Sequence, residues 1–260
     1  MARIGSAWVA SVRLFLYLGW TLILLPVQIV AVAVPGRLKE RLPRFYHRQL
    51  WSPIGLDVRV RGAPNAARPT LFVVNHASYL DVTVLGGLIE GCFVAKREVA
   101  GWPLFGLLAK LQRTAFVERR RGATAGERDH IARRLAGGDN LILFPEGTSN
   151  DGSRVLPFKS ALFAALEGGG DLPIQPVSIG YTRLDGMPLG RALRPLVAWY
   201  GDMELAPHLF TLLGLGRMTV DVVFHPTVRA TSFDSRKDLA RHCQEMVAGG
   251  VAGALAGRLQ

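Results

Sequence analysis

Two residues of the 260-residue chain have the types and the spacing to move a proton: His76 and Asp81, in the pattern His-x-x-x-x-Asp within NHASYLD (75–81). An imidazole that donates one ring N–H to a carboxylate has its tautomer fixed, and its other nitrogen is left to take a proton from a substrate hydroxyl. Five positions along an ideal helix carry a side chain about 140° off its starting face, so the two groups cannot meet if both are helical. They can meet if His76 precedes the helix. Ser78 and Asp81 supply the S-x-x-D pattern of a capping box, which makes Ser78 the N-cap and leaves His76 in the turn before it. The same residues also fit a plain helix cap beside a turn histidine, and spacing alone does not separate the two. A second constellation is Phe144-Pro145-Glu146-Gly147-Thr148-Ser149. A glycine-containing turn at a strand end exposes backbone N–H groups and side-chain oxygens that can hold a substrate or steady a tetrahedral intermediate. Glu146 equally suits a cap or an ion pair.

The elements that must position these groups are legible around them. TLFVVN (70–75) is apolar and β-rich throughout, as in a strand covered on both faces, and it ends abruptly at His76-Ala77-Ser78. LILF (141–144) repeats the arrangement ahead of Pro145-Glu146-Gly147-Thr148, and PIQPVSIGYTRL (173–184) and VDVVFHPTV (220–228) read as further strands. Helices are expected over 79–90, 124–136, 158–168 and 236–255, with the glycines at 168–170 and 249–250 marking helix ends. Strand, polar turn, helix and strand in succession give an α/β fold with a mixed sheet flanked by helices, whose polar turns gather at one sheet edge.

Ahead of this lies LFLYLGWTLILLPVQIVAVAV (14–34), twenty-one residues without a charge and long enough to cross a bilayer as a helix. Pro26 and Gln28 interrupt it, so a re-entrant hairpin that enters one leaflet and returns is the competing shape. Arg3, Arg13, Arg37, Lys39, Arg41, Arg44 and Arg48 flank it against one acid, Glu40, with Phe45, Tyr46 and Trp51 interleaved. Aromatic rings and long basic side chains favour the headgroup layer, and basic residues on both flanks suit a segment with both ends cytoplasmic. A buried core helix followed by a solvated basic helix is the blander reading.

Composition bounds the function. The 31 Lys and Arg outnumber the 20 Asp and Glu, for a net charge of +11, which suits a polyanionic or anionic-membrane partner. The mean hydropathy of +0.23 favours the membrane, and no nucleic-acid-reading module is recognisable. Cys92 and Cys243 lie far apart, without CxxC spacing, which argues against a disulfide framework or a structural zinc. No GxSxG, HExxH, GxxxxGK[ST] or strand-to-helix GxGxxG occurs.

Taken in order, NHASYLD (75–81), AFVERR (115–120), FPEGTS (144–149) and LPIQPV (172–177) resemble the four blocks of the glycerolipid acyltransferases of the lysophosphatidate acyltransferase (PlsC) type. The resemblance covers about residues 70–180 and implies an acyltransferase α/β domain over 61–260 behind a membrane-anchoring segment over 1–60. It implies that His76 is the base for the acceptor hydroxyl and Asp81 its orienting partner. It assigns the acceptor's polar head to Phe116, Glu118, Arg119, Glu146, Gly147, Thr148 and Ser149, and the shaping of the acyl site to Pro173 and Pro176. The expected partners are a lyso-lipid acceptor, an acyl thioester of acyl carrier protein or coenzyme A, and the cytoplasmic face of the inner membrane. No metal or tightly bound cofactor is implied, and no nucleic acid.

One departure bears on the acceptor. Phosphatidate-making members usually carry an arginine after the threonine of the third block, where its planar fork suits a phosphate. This chain has Ser149, and its TSNDG…VLPFKSALF stretch looks more like the lyso-ornithine lipid acyltransferases of bacteria. Arg119, Arg154 or Lys159 would be the cations to restore phosphate binding and a 1-acylglycerol-3-phosphate acceptor. A membrane lipid-binding or transfer protein without chemistry would explain the basic, apolar N-terminus equally well, but it has no need of His76 and Asp81 poised together.

Overall fold

A computed structural model describes residues 5–117, 125–166 and 171–258. Two helices come first, α1 (Ala7–Ala33) and α2 (Leu38–Leu50). There follow β1 (Leu56–Arg61), β2 (Leu71–Val74), α3 (Leu80–Leu88), β3 (Cys92–Lys96), α4 (Phe105–Leu111), β4 (Ala115–Val117), α5 (Ala125–Ala136) and β5 (Leu141–Leu143). The chain ends with β6 (Pro173–Leu184), β7 (Met187–Pro188), α6 (Leu205–Leu213), β8 (Met218–Phe224), β9 (Val228–Arg229) and α7 (Arg236–Leu255).

The sheet is mixed, as expected. Its order among the described residues is β1-β8-β6-β2-β5-β3-β4, with β7 and β9 paired to the ends of β6. β2 lies between β5 and β6 and is parallel to both, β3 is parallel to β5 and β4, and β8 runs antiparallel to β6. All four residues of β2 are buried, as its unbroken apolar sequence requires. Phe72 and Val74 enter one core with α3 and α6, while Leu71 and Val73 enter the other with α5 and α7. Successive side chains of a strand point to opposite faces, so a four-residue strand anchors both layers.

Three sequence expectations are corrected. The expected helix over 158–168 is a 3-10 helix, Ser160–Leu166, wedged against α7 and α5. The expected strand over 220–228 stops at Phe224, because Pro226 has no N–H to give the ladder, and pairing resumes as β9 against Pro173 and Ile174. The glycines at 249–250 lie inside α7 rather than at its end; a Cβ on Gly250 would collide with Ser178 Oγ and His225 Nε2, so the glycine lets α7 sit close on β6.

The apolar run forms one continuous helix through Pro26, so the hairpin within 14–34 does not form. α1 packs along α6, α2 and α4. Polar side chains fasten it at intervals: Arg13 donates to the Leu213 and Leu215 carbonyls at 3.1 and 2.7 Å, Thr21 pairs with the Tyr46 hydroxyl at 2.8 Å, and Gln28 donates to the Leu111 carbonyl at 2.7 Å. α2 packs against α3 where Gly86 and Gly87 leave room for His47 and Trp51.

That packing buries His47, whose Nε2 pairs with Gln112 Oε1 at 3.2 Å, and burial holds its pKa down at about 4. The folded state therefore binds this proton less readily than the unfolded chain, with an ordinary value of about 6.5. The stability that His47 contributes is complete above about pH 6.5 and is lost as the pH falls through about 4. Unfolding in detergent followed from pH 7 to pH 4 should show a loss on the order of 3 kcal/mol that His47→Gln flattens; identical pH dependence in the two proteins would contradict it.

Candidate active site

The backbone leaves β2 at Asn75, whose side chain replaces a ladder residue: its Nδ2 donates to the Ile179 carbonyl and its Oδ1 accepts from the Ile179 N–H, both at 2.9 Å. The main chain is thereby free to turn away from the sheet at His76. The turn is pinned on its outer side, where Ser78 Oγ donates to the Val197 carbonyl at 2.7 Å and the Trp199 N–H donates to the Ala77 carbonyl at 2.9 Å. α3 begins at Leu80, two residues after the expected N-cap Ser78.

His76 stands in the turn and Asp81 in the first turn of α3, and His76 Nδ1 meets Asp81 Oδ2 at 2.8 Å. The same Oδ2 accepts the Ala77 and Ser78 N–H groups at 2.8 and 3.0 Å, and Oδ1 accepts the Tyr181 hydroxyl at 2.6 Å. The capping arrangement and the His–Asp pair, alternatives from sequence, are one structure. Asp81 is fully buried, and its carboxyl oxygens accept from four donors at a helix N-terminus. Nδ1 of His76 is then the protonated nitrogen, an assignment inferred from the hydrogen bonds, and Nε2 carries the lone pair. Nε2 has no hydrogen-bond partner among the described residues, and the ring lies stacked on Phe144 with centroids 4.2 Å apart.

Because β2 and β5 pair directly, with Val73 opposite Leu143, the turns that follow them are neighbours. They are tied by backbone and side chain. The Asn150 N–H donates to the His76 carbonyl at 3.1 Å, and Glu146 Oε1 accepts the His76 N–H at 2.8 Å. Glu146 Oε2 accepts from Asn150 Nδ2 at 2.6 Å and the Leu156 N–H at 2.9 Å. Burial pushes the Glu146 carboxyl up, and these three hydrogen bonds oppose the rise. Expected to grip the acceptor head, Glu146 is instead 1% exposed, with both oxygens engaged by the chain itself. It clamps the two turns together.

The other expected residues divide. Gly147 takes φ +68, which a glycine adopts without strain, and the Lys159 ammonium lies against it where a Cβ would otherwise project. Thr148, Arg154 and Lys159 are exposed and Ser149 is half-buried around the same turn. Phe116 lies on β4 opposite Ala95 of β3, near the sheet edge on which His76 stands. Glu118 and Arg119 lie outside the described residues. Pro173 and Pro176 are not brought to the site: Ile174 is level with Leu71, so Pro173 sits at the opposite sheet edge, and Pro176 is level with Val73 inside the sheet.

An apolar cavity of about 250 Å³ opens among α1, α2, α3, α4, α6 and β3, and neither proline lines it. Its wall includes Tyr79, Val82, Phe93, Trp102, Phe105 and Leu209. Phe93 stacks toward Phe144 at 6.1 Å, so two rings lead from the cavity wall to His76. Sequence reasoning missed Asn75, Asn150 and Tyr181. Asn75 and Asn150 stand within or next to the motifs, and a polar residue ending a fully apolar strand was a signal. No spacing marks Tyr181, one hundred residues from Asp81.

A family model described as Acyltransferase matches residues 57–180. The chain is 43% identical to a lyso-ornithine lipid O-acyltransferase of Brucella abortus (strain 2308), over 96% of this chain and 98% of that protein. It is 30% identical to a 1-acyl-sn-glycerol-3-phosphate acyltransferase of Neisseria gonorrhoeae, over 76% of this chain and 75% of that one. Its fold is similar to the crystal structure of the 1-acyl-sn-glycerophosphate acyltransferase PlsC from Thermotoga maritima, with a TM-score of 0.64, 23% identity, and coverage of 96% of this chain and 99% of that chain.

A clamp and a head-binding group respond differently to substitution. Glu146→Gln keeps the size but turns an NH₂ toward donors, leaving a buried N–H unpaired at a cost of about 1–3 kcal/mol. Thermal unfolding should move down accordingly and turnover should fall, with KM for the lyso-lipid within about twofold of the parent. A large rise in acceptor KM at unchanged stability would restore the head-binding role.

Proposed function

The chain belongs to the acyltransferase family, and we propose that within it the protein transfers a fatty acyl group from an acyl thioester of acyl carrier protein or coenzyme A to the hydroxyl of a lyso-ornithine lipid. The observation that carries the acceptor is the end-to-end similarity to the Brucella enzyme. Ser149, standing where phosphatidate-making members usually place arginine, supports the same reading.

In this reading His76 Nε2 removes the acceptor's hydroxyl proton as the oxygen attacks the thioester carbonyl. Asp81 stabilises the imidazolium that forms. The tetrahedral intermediate collapses by breaking the carbon–sulfur bond, and the departing thiolate takes the proton from the imidazolium, so the base is restored without an acyl-enzyme. The apolar cavity walled by Phe93 suits an acyl chain, since it offers hydrocarbon contact that Phe144 continues to the base. Thr148, Ser149 and Lys159, on the open side of the turn, are the groups left to meet the head.

In this reading α1 and α2 form the membrane-facing part and the acyltransferase domain begins at β1; the boundary expected between 60 and 61 moves back because Leu56–Arg61 pair with β8 in the sheet. α1 presents Trp8, Phe15, Leu22, Ile23 and Val30 outward, each more than 60% exposed, while its inner side is hydrogen-bonded to the body. A helix fastened along its length cannot cross a bilayer alone, so α1 lies within the cytoplasmic leaflet of the inner membrane. Trp102, Leu107 and Phe210 on neighbouring elements extend its apolar face, and the arginines of α2 reach the headgroups.

Two experiments test this. With labelled acyl donor against a panel of lyso-lipids, the protein should acylate lyso-ornithine lipid, and His76→Ala should lower turnover by about 10²–10⁴. Ser149→Arg should shift preference toward lysophosphatidate by about tenfold or more; a wild-type preference for lysophosphatidate would favour the phosphate acceptor instead. Separately, Phe15→Asp with Leu22→Asp should release folded protein from anionic vesicles and depress turnover on bilayer acceptors more than on micellar ones. Undiminished vesicle binding would remove α1 from the membrane.

A further inference from the structure

We infer that Tyr181 is a positioning residue of the acyl-transfer site, holding the Asp81 carboxylate in the plane from which it orients His76. The inference rests on the reading of His76 as the base. Its starting point is the uneven sharing of donors on Asp81. Oδ2 takes the His76 Nδ1–H and the Ala77 and Ser78 N–H groups, all from the same short turn. Oδ1 takes the Tyr181 hydroxyl at 2.6 Å, a contact that reaches across from β6. Without it Oδ1 would be a buried oxygen with no donor among the described residues, and the contact that fixes the plane of the carboxylate would be gone.

The fold makes this contact deliberately. β6 runs on past its last pairing with β2, alongside the His76 turn. The register of β6 against β8 shifts between Tyr181 and Arg183, and such a bulge re-aims the side chains next to it. The extra residue, Thr182, is satisfied through its hydroxyl by Asp221 Oδ2 at 2.5 Å. The Tyr181 ring is 6% exposed and packed in the core, so the hydroxyl has no water to choose in place of Asp81. Burial, and then the neighbouring Asp81, push its pKa well up, which keeps the proton on the phenol.

The consequence is electrostatic as well as geometric. A phenol donor draws negative charge away from the carboxylate, so removing it leaves Asp81 a stronger partner for the imidazolium. The acid limb of the pH profile should then move to higher pH. The other titratable groups about the pair stay in place: Glu146 on the β5 turn, Lys159 against Gly147, and Tyr79, whose hydroxyl pairs with His208 Nδ1 at 2.9 Å.

The test compares kcat and KM against pH for full-length wild type, His76→Ala, Tyr181→Phe, and protein carrying 3-fluorotyrosine at 181, with lyso-ornithine lipid or lysophosphatidate as acceptor, whichever the panel selects. Tyr181→Phe should lower kcat about tenfold with KM within about twofold, and move the acid limb up by several tenths of a pH unit. Fluorotyrosine, a stronger donor of nearly unchanged shape, should move the limb down. A purely structural tyrosine would lower stability and leave both limbs where they were, which overturns the inference. If Tyr181→Phe does not fold, the fluorotyrosine protein decides alone. Turnover surviving in His76→Ala would overturn the base itself; loss in His76→Ala with wild-type profiles for both Tyr181 proteins would overturn only the role of Tyr181.

Discussion

A carboxylate sealed from water must be saturated with donors, and in this protein the satisfaction of Asp81 organises everything around it. Its four partners come from the turn 76–78 and from β6, so meeting its requirement fixes the turn, the first residues of α3 and the path of the longest strand together. The imidazole is the only one of the four donors with a second functional face. Anchoring it through Nδ1 leaves Nε2 uncommitted, and chemistry at this edge follows from how the buried charge is neutralised. Glu146 repeats the solution one strand away, where three protein donors converge on a second buried carboxylate and lock the two turns to each other.

Parallel pairing explains why two short motifs separated by about seventy residues act as a unit. In a parallel sheet neighbouring strands end at the same edge, so the turns after β2 and β5 emerge side by side and need only local hydrogen bonds to join. β6 belongs to the same parallel set but is long enough to overshoot that edge, which lets a residue of the sheet itself approach the turn from behind. Residues at the start of β6 cannot do this. Pro173 and Pro176 stand behind the edge by the very register that brings Tyr181 forward.

The sequence was most readable where one local rule decides the outcome. An unbroken apolar strand ending in a polar turn made β2, β5 and the strand in β6 legible, and the S-x-x-D spacing placed His76 before the helix. It was least readable where contact across the fold decides. Glu146 looked like a ligand-binding acid in a basic chain, and only the proximity of the two turns shows that its oxygens are already engaged. Tyr181 looked like one more large residue in a strand. The glycines at 249–250 looked like a helix stop, because the need of α7 to approach Ser178 is invisible along the chain. The 3-10 segment after Lys159 likewise reflects the space between α7 and α5 rather than its helix-forming residues.

The N-terminal helix shows how length and composition differ from placement. Twenty-one uncharged residues satisfy any test for a membrane span, yet Arg13, Thr21 and Gln28 help fasten α1 to the body, and Arg13 and Gln28 would be unsatisfied polar groups in lipid. Their hydrogen bonds make the inner face of α1 part of the protein, leaving an apolar stripe on the outside. The same helix also supplies Tyr17, Leu24 and Leu25 to the wall of the cavity. On the proposed reading one helix therefore has lipid on one side and the acyl site on the other, so a hydrocarbon chain passing from the leaflet into the cavity crosses the width of a helix. That distance removes most of the cost of carrying an acyl chain through water, which at about 0.8 kcal/mol per methylene would otherwise be the largest barrier to bringing the two substrates together.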